Sequence, residues 1–539
     1  MELSTLLFQI LFTVFAAVLL TSVGYKMYQT YQLGSYRARE AYKWFKSTRF
    51  NYYLRYFALF FLSAIVMGVY VAAFFVFPIA HYFGALAFFG FGILFVVVTL
   101  KQKQKTPLKI TWRVRRLMIV SFFLNGGLVY GLLRLGYLLP IDFYPFAAFA
   151  FLLLPFTVTL AHFITLPIEN GIRNRYKRRT MRILDAHEGL IKIGITGSFG
   201  KTTVKNILTA MLQKKFKATT TPSSYNTPMG ICKAVGDGLG DTEVFVAEMG
   251  ARYVGDIAEL CRIVRPTHGI LTGIGNQHLD TFGSQENLHK TKYALIKSLP
   301  EGGYGYFNGD SEGARMMYDW CTVNKTLACS GDVSKEGVYY TNSTMTAKGV
   351  TFMLHAKDKE TGQEQSIEIT TPLLGKHMAG TLTLCASCAL NLGVTLEQIK
   401  EAAAELKPVS HRLELIDRGD TIVIDDAYNS NVDGAKNALE VLSMFEGTKI
   451  VVTPGLVELG KEEDACNYKV GEFIAEYADY AILNSSRRDI IRKGALSKGM
   501  DKSRIIFAEN LEESMKKIAE IEADKKVILF ENDLPDNFK

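Results

Sequence analysis

Residues 197–203 read Gly-Ser-Phe-Gly-Lys-Thr-Thr. A β-branched run, 191–196, precedes them, and residues 202–212 have helical spacing. Strand, glycine-rich turn and helix in that order is the setting in which backbone N–H groups curl around an anion. Gly197 and Gly200 give the turn its freedom, and the helix start adds its positive dipole end. Ser198 and Thr203 lie in the same loop. Lys201 is placed to reach the outer phosphates of a nucleotide, and Thr202 to ligate Mg²⁺. The spacing departs from G-x-x-x-x-G-K-[ST], because Gly194 stands one residue too early.

Other residues suited to chemistry follow along the chain. Glu248 closes a buried apolar run, the place where a parallel sheet presents ligand-binding groups. Asn276 and His278 stand just past another strand-like run, 270–274, although a histidine there is more often structural. Asn308 and Asp310 follow a third, and from the residues alone a tight turn explains them as well. Asp425-Asp426 end a fourth run, with Tyr428, Asn429 and Asn431 before a helix that Asn431 is suited to cap.

These segments, in this order over about 191–528, resemble the Mur ligase family, and within it the members that add D-alanyl-D-alanine. T-G-x-x-G-K-T-T is that family's form of the loop. The resemblance implies ATP as cofactor, Mg²⁺ at two sites, and Thr202, Glu248, His278 and Lys292 as metal ligands. Lys292 falls on the lysine that the family carbamylates with CO₂, which turns a cation into an oxygen ligand. Tyr293 and Ala294 replace the usual Gly-Glu after it, and Lys290 is a neighbouring competitor. Asn308 and Asp310 resemble the N-x-D motif at the adenine. Asn226, in SSYNTPMG, resembles the substrate loop, and His377 the histidine of a central-domain helix. Arg412, in PVSHRLEL, would reach the ATP phosphates from a hinge; His411 replaces the family's Gly. DDAYNSNV resembles D-D-x-Y-N-A-N-P, placing Asp426 on the ATP side and Tyr428 and Asn429 on the substrate side. Glu458-Leu459-Gly460 is retained. The family's closing K-G-S-R is not seen, and the acidic 530–536 stands there instead.

The elements that must position these groups are α/β. The expected architecture is a helical membrane domain, 1–170, then a central ATP-binding domain with a parallel sheet, 171–408, then a Rossmann-like domain, 409–539. Five stretches approach the roughly 20 apolar residues that cross a bilayer: 5–24, 54–77, 83–100, 117–139 and 144–167. Basic residues such as Arg37, Arg39, Arg113, Arg115, Arg116, Arg173, Arg178 and Arg179 crowd alternate connections. Basic loops stay inside, so the N-terminus is expected outside and the catalytic domains in the cytoplasm of a multi-pass membrane protein. Arg134, near a span's outer end, reads as a snorkelling side chain. The net charge of +8 is thereby explained by topology rather than by nucleic acid. The seven cysteines are odd in number, and only Cys385 and Cys388 are close, in an apolar helix. They read as structural thiols in a reducing compartment.

The implied reaction is ADP-forming acid–amino-acid ligation. A carboxylate of a peptidoglycan precursor takes the γ-phosphate, and an amine, D-Ala-D-Ala by the resemblance, displaces phosphate from the acyl phosphate. Lys201, Arg412 and the metals neutralise charge, and His278 and Lys292 complete the catalytic set. The family's UDP-gripping domain is replaced by the spans, so the precursor is UDP-linked and held otherwise, or lipid-linked. Anionic lipid is a further partner for the basic loops. The rivals are a poly-glutamate or capsule-type amide ligase, and a membrane protein with a regulatory ATP-binding domain.

Overall fold

The computed structural model describes residues 3–39, 42–43, 58, 65, 80–101, 106–138, 149–236, 238–275, 279–358, 361–428, 430–457, 459, 462–484 and 487–532. The chain divides into two compact units, Met1–Asn174 and Arg175–Lys539.

The first unit is helical: Leu3–Val23, Tyr25–Leu33, Ala80–Lys101, Trp112–Leu138 and Phe149–Ala186. Among the described residues three helices are long and apolar enough to cross a membrane, over Leu6–Val23, Trp112–Leu135 and Phe149–Ala186. They correspond to the first, fourth and fifth expected spans. The count of five is not reached. The second expected span, 54–77, lies almost wholly outside the described residues. The third, 83–100, falls within helix Ala80–Lys101, whose apolar stretch among the described residues is Phe88–Val98. Polar side chains pair inside the bundle, as lipid cannot solvate them. Asn125 Nδ2 donates to Thr21 Oγ1 at 3.3 Å, and Thr157 Oγ1 donates to Asn125 Oδ1 at 2.7 Å.

The second unit carries two sheets. The first comprises β1 (Ile191–Thr196), β2 (Ala218–Thr220), β3 (Val244–Glu248), β4 (His268–Leu271), β5 (Tyr304–Asn308), β6 (Asn324–Ser330), β7 (Val338–Thr346), β8 (Gly349–Lys357) and β9 (Glu364–Thr371). Their order is β2-β3-β1-β4-β5-β6-β7-β8-β9. All pairs are parallel up to β6–β7, and β7–β8 and β8–β9 are antiparallel. Every residue of β3 is buried, the pattern of a strand covered on both faces. Helices Lys201–Gln213 and Met378–Asn391 bury their apolar stripes against one core, and Asp256–Val264 packs into another. The strand order reverses beside β1, with β3 on one side and β4 on the other, all three parallel. Such a switch point opens a crevice at the strands' C-terminal ends.

The second sheet comprises β10 (Glu414–Asp417), β11 (Thr421–Asp426), β12 (Thr448–Thr453), β13 (Tyr480–Leu483), β14 (Ile505–Phe507) and β15 (Lys526–Glu531). Its order is β10-β11-β15-β12-β13-β14, with only β10 antiparallel. The last strand therefore lies between β11 and β12. The expected α/β character of both regions is observed. The seven cysteines are all free thiols.

Candidate active site

The glycine turn leaves β1 and enters helix Lys201–Gln213 with Gly200 at φ 78°, a left-handed conformation in which a side chain would be strained. Gly197 is required by contact instead. A Cβ there would stand 1.9 Å from Thr272 Oγ1. The segment after β4 pins the loop: Ser198 N–H donates to Gly273 O at 2.8 Å, and Ser198 Oγ donates to Gly275 O at 2.9 Å. Thr272 Oγ1 donates to Phe199 O at 2.5 Å.

Lys201 folds its ammonium over the loop, donating to Gly197 O at 2.8 Å and Ser198 O at 2.9 Å. Burial pulls its pKa down to about 8, against the attraction of Glu248, and Arg412 pushes the same way. Thr202 Oγ1 donates to Glu248 Oε2 at 3.0 Å, and Asn226 Nδ2 donates to Glu248 Oε1 at 2.9 Å. Thr203 is half-buried beside them.

Lys205 was not singled out from the sequence. It lies one helical turn beyond Lys201, 1% exposed, with Nζ 3.2 Å from Glu248 Oε2. The same ammonium donates to Thr221 O at 2.9 Å and Ser223 O at 2.6 Å. A buried lysine is tolerated when each of its donors is spent, as here. The only available signal was its place on the helix face shared with Val204 and Leu208.

Lys292 is 3% exposed on helix Gln285–Lys297, whereas Lys290 points out and pairs with Glu286 at 2.5 Å. Burial holds the Lys292 amine well below the ordinary lysine range; Lys201 adds to this and Asp256 opposes it. Among the described residues no hydrogen bond or ion pair holds its Nζ. Asn276, His278, Asn429, Glu458 and Gly460 lie outside the described residues.

Arg412, from the start of the second sheet region, has its guanidinium 4.2 Å from the centroid of the Tyr428 ring. Burial lowers its pKa, and Asp426, Tyr428 and Glu248 act in the opposite sense. Its field reaches Lys201 as well as Asp426. Asp426 accepts Leu413 N–H at 3.2 Å. Burial raises Asp426 to about 6, while Arg412 and that N–H hold it back. Tyr428 Oη lies 2.7 Å from Ser224 Oγ, on the loop that also holds Asn226. The structure thus brings together Lys201, Thr202, Glu248, Asn226, Arg412, Asp426 and Tyr428 from two sheets of one unit. Asn308 and Asp310 form a turn. Asp310 N–H donates to Asn308 Oδ1 at 3.1 Å, and Asp310 accepts Ser330 N–H at 2.8 Å and Tyr340 Oη–H at 3.1 Å. His377 is exposed at the start of helix Met378–Asn391.

Glu531 is a second residue missed from the sequence. It is 1% exposed at the end of β15, in register with Asp426. Its Oε2 accepts Thr453 Oγ1–H at 2.7 Å, and its Oε1 has no hydrogen-bond partner among the described residues. Burial pushes it up to about 7, with Asp426 adding to the effect.

A phosphate-type glycine loop at a sheet switch point, faced by an arginine from a second parallel sheet, defines a two-lobed nucleotide-phosphate-binding α/β protein. Residues 195–389 match the model of the Mur ligase middle domain and residues 411–530 that of the Mur ligase, glutamate ligase domain. The chain belongs to the Mur ligase family. It is 30% identical over 284 residues to the UDP-N-acetylmuramoyl-tripeptide--D-alanyl-D-alanine ligase of Escherichia coli (strain K12), covering 52% of this chain and 61% of that one. The chain therefore spans about three fifths of that relative's length. MurF from Acinetobacter baumannii superposes with a TM-score of 0.60 at 21% identity, over 67% of this chain and 77% of that one. MurF ligase from Thermotoga maritima, in complex with ADP, does so at 0.58 and 24% identity, over 67% and 80%. These likenesses establish the fold.

Proposed function

We propose that this protein is an ATP-dependent, ADP-forming amide ligase that joins D-Ala-D-Ala to the carboxylate of a muramoyl tripeptide precursor. The observation that carries the reading is Arg412, which acts electrostatically on Lys201 and is itself acted on by Glu248 in one lobe and Asp426 in the other. Phosphoryl transfer is largely a matter of positioning and of neutralising spread negative charge. Lys201 and the loop N–H groups from Gly200 to Thr203 hold the triphosphate, with Gly197 and Gly200 giving it close approach and Ser198 and Phe199 anchoring the loop through Gly273 O. Arg412 draws the charge that develops as the substrate carboxylate takes the γ-phosphate. The amine then attacks the acyl phosphate carbon, and phosphate leaves. Asn308, Asp310 and Asp426 are assigned to the nucleotide, and Asn226, Tyr428 and Asn429 to the precursor.

Thr202 Oγ1 and Glu248 Oε2, 3.0 Å apart, match adjacent corners of an octahedron with metal–oxygen bonds of about 2.1 Å, so this oxygen pair fits Mg²⁺. Bound there, Mg²⁺ supplies neutralisation of the phosphates. An amine offers a metal no oxygen, and Lys292 fits a second Mg²⁺ only as its carbamate, the family pattern assigning His278 to the metals as well. The depressed pKa favours that chemistry, because the neutral amine is the form that adds CO₂, releasing a proton.

The three long apolar helices support a membrane location, with the ligase lobes on the cytoplasmic side. Full-length protein in detergent, given ATP, Mg²⁺, D-Ala-D-Ala and UDP-muramoyl tripeptide or its lipid-linked form, is expected to yield ADP and an amide product seen by mass spectrometry. ATP hydrolysis indifferent to both amine and acceptor would refute the ligase reading. Equal turnover of the UDP-linked and lipid-linked acceptors would refute a lipid-linked substrate.

A further inference from the structure

The ligase reading makes no use of a cluster at one end of the helical unit. Arg113 and Arg116 lie at the start of helix Trp112–Leu138, and Glu169 and Arg173 lie along Phe149–Ala186. Glu169 is the only carboxylate among the described residues of this unit. Its strong partner is Arg116, whose Nε donates to Oε1 at 2.6 Å. Arg113 Nε is 3.6 Å from Glu169, too far for a hydrogen bond. The five N–H donors of Arg113 make no hydrogen bond among the described residues, although its side chain is only 23% exposed. One face of its guanidinium is covered by the Tyr36 ring, 3.8 Å from the centroid. The Tyr36 hydroxyl is itself buried and has no hydrogen-bond partner among the described residues. Arg116 and Arg173 add their positive fields at Arg113.

The partly buried Arg113 guanidinium and Tyr36 hydroxyl, whose donors make no hydrogen bond among the described residues, with the positive charge of Arg116 and Arg173 beside them, call for an anion with several acceptor oxygens. A planar guanidinium fork beside a phenol matches the terminal oxygens of a phosphate. We infer that Arg113, Arg116, Arg173 and Tyr36 form a binding site for the terminal phosphate of a phosphorylated lipid. The lipid source follows from position. Arg113 and Arg116 sit at the start of one helix long and apolar enough to cross a membrane, and Arg173 lies along another, beside exposed apolar side chains such as Ile168 and Trp112. A phosphomonoester or diphosphate, with a terminal dianion, suits the cluster better than a phosphodiester. The inference stands apart from the ligase reading, since it concerns the other unit and needs no turnover.

The test is native mass spectrometry of full-length protein in detergent with dioleoyl phosphatidic acid, dioleoyl phosphatidylglycerol or inorganic phosphate. Wild type is expected to retain phosphatidic acid in preference to phosphatidylglycerol. Arg113→Gln is expected to weaken retention about tenfold, and Tyr36→Phe, which removes only a hydroxyl, about threefold. Arg178→Gln/Arg179→Gln, at exposed positions of the same helix, is expected to bind as wild type does. Should Arg113→Gln fail to fold, Tyr36→Phe decides. Equal retention of the two lipids, full displacement by equimolar inorganic phosphate, or wild-type retention by Tyr36→Phe would overturn the site.

Discussion

The Glu531 carboxyl is buried between β11 and β12, and Glu531→Gln tests what that burial costs. The pKa is about 7 in the folded protein, against 4.5 for a solvated glutamate. The sign follows from linkage. The folded state holds the proton, so as pH rises from 4.5 to 7 the unfolded chain releases first and stability falls. Below pH 4.5 both states are protonated and the penalty vanishes. A gap of one pH unit between the folded and unfolded titrations is worth about 1.4 kcal/mol, so the full loss above pH 7 is on the order of 3 kcal/mol. Glutamine has no such titration, and its amide oxygen still accepts the Thr453 hydroxyl that donates at 2.7 Å in wild type. Urea unfolding of both full-length proteins in one detergent, at pH 5 and pH 8, reads the difference. Glu531→Gln is expected to gain about 2–3 kcal/mol on wild type between the two pH values. A constant offset, with no pH dependence, would refute the claim that Glu531 is buried as a protonated acid.

Gly197→Ala places a Cβ 1.9 Å from Thr272 Oγ1 and forces the loop to move. The expected result is ATP affinity at least about tenfold weaker by calorimetric titration, with a stability loss of about 1–3 kcal/mol. Arg412→Lys keeps the charge and loses the planar contact with Tyr428 at 4.2 Å. Its kcat is expected to fall about tenfold or more while the KM for ATP stays within about threefold. Turnover in CO₂-depleted buffer is expected to drop and to recover with added bicarbonate. Lys292→Ala, slow throughout, is expected not to respond to bicarbonate.

What the sequence disclosed tracks how local each feature is. Gly197, Gly200, Lys201 and Thr202 are contiguous or nearly so, and strand-turn-helix is a local rule, so the loop was legible. Glu248 was legible as the end of an apolar run. Lys205 was not, because its burial depends on Glu248 and on the carbonyls of Thr221 and Ser223, none of them close in sequence. Glu531 was hidden by topology. β15 inserts between β11 and β12, and only that insertion sets Glu531 beside Asp426 and Thr453. Apolar length exposed the helices of the first unit but not the side chains that meet inside it. Nothing in the spacing of Tyr36, Arg113 and Glu169 announces that they form one cluster.

The connection between the two lobes shows how a departure from a pattern is absorbed. His411 stands where the Mur pattern has glycine, and its φ is 61°, in the left-handed region that glycine enters freely. Leu413, two residues on, has φ 48°. Non-glycine residues held there cost on the order of 1–3 kcal/mol each unless their surroundings fix them. The paired aspartates at the end of β11 supply the fixing. Asp425 Oδ2 lies 2.8 Å from His411 Nδ1, and Asp426 accepts the Leu413 N–H at 3.2 Å. Neighbours on a strand point to opposite faces, so the two carboxylates grip the hinge on both sides of Arg412. Arg412 therefore leaves the hinge in one direction, toward Tyr428 and the Lys201 loop. An aspartate pair read only as a nucleotide contact would miss this second task, which is to hold the backbone that aims the arginine.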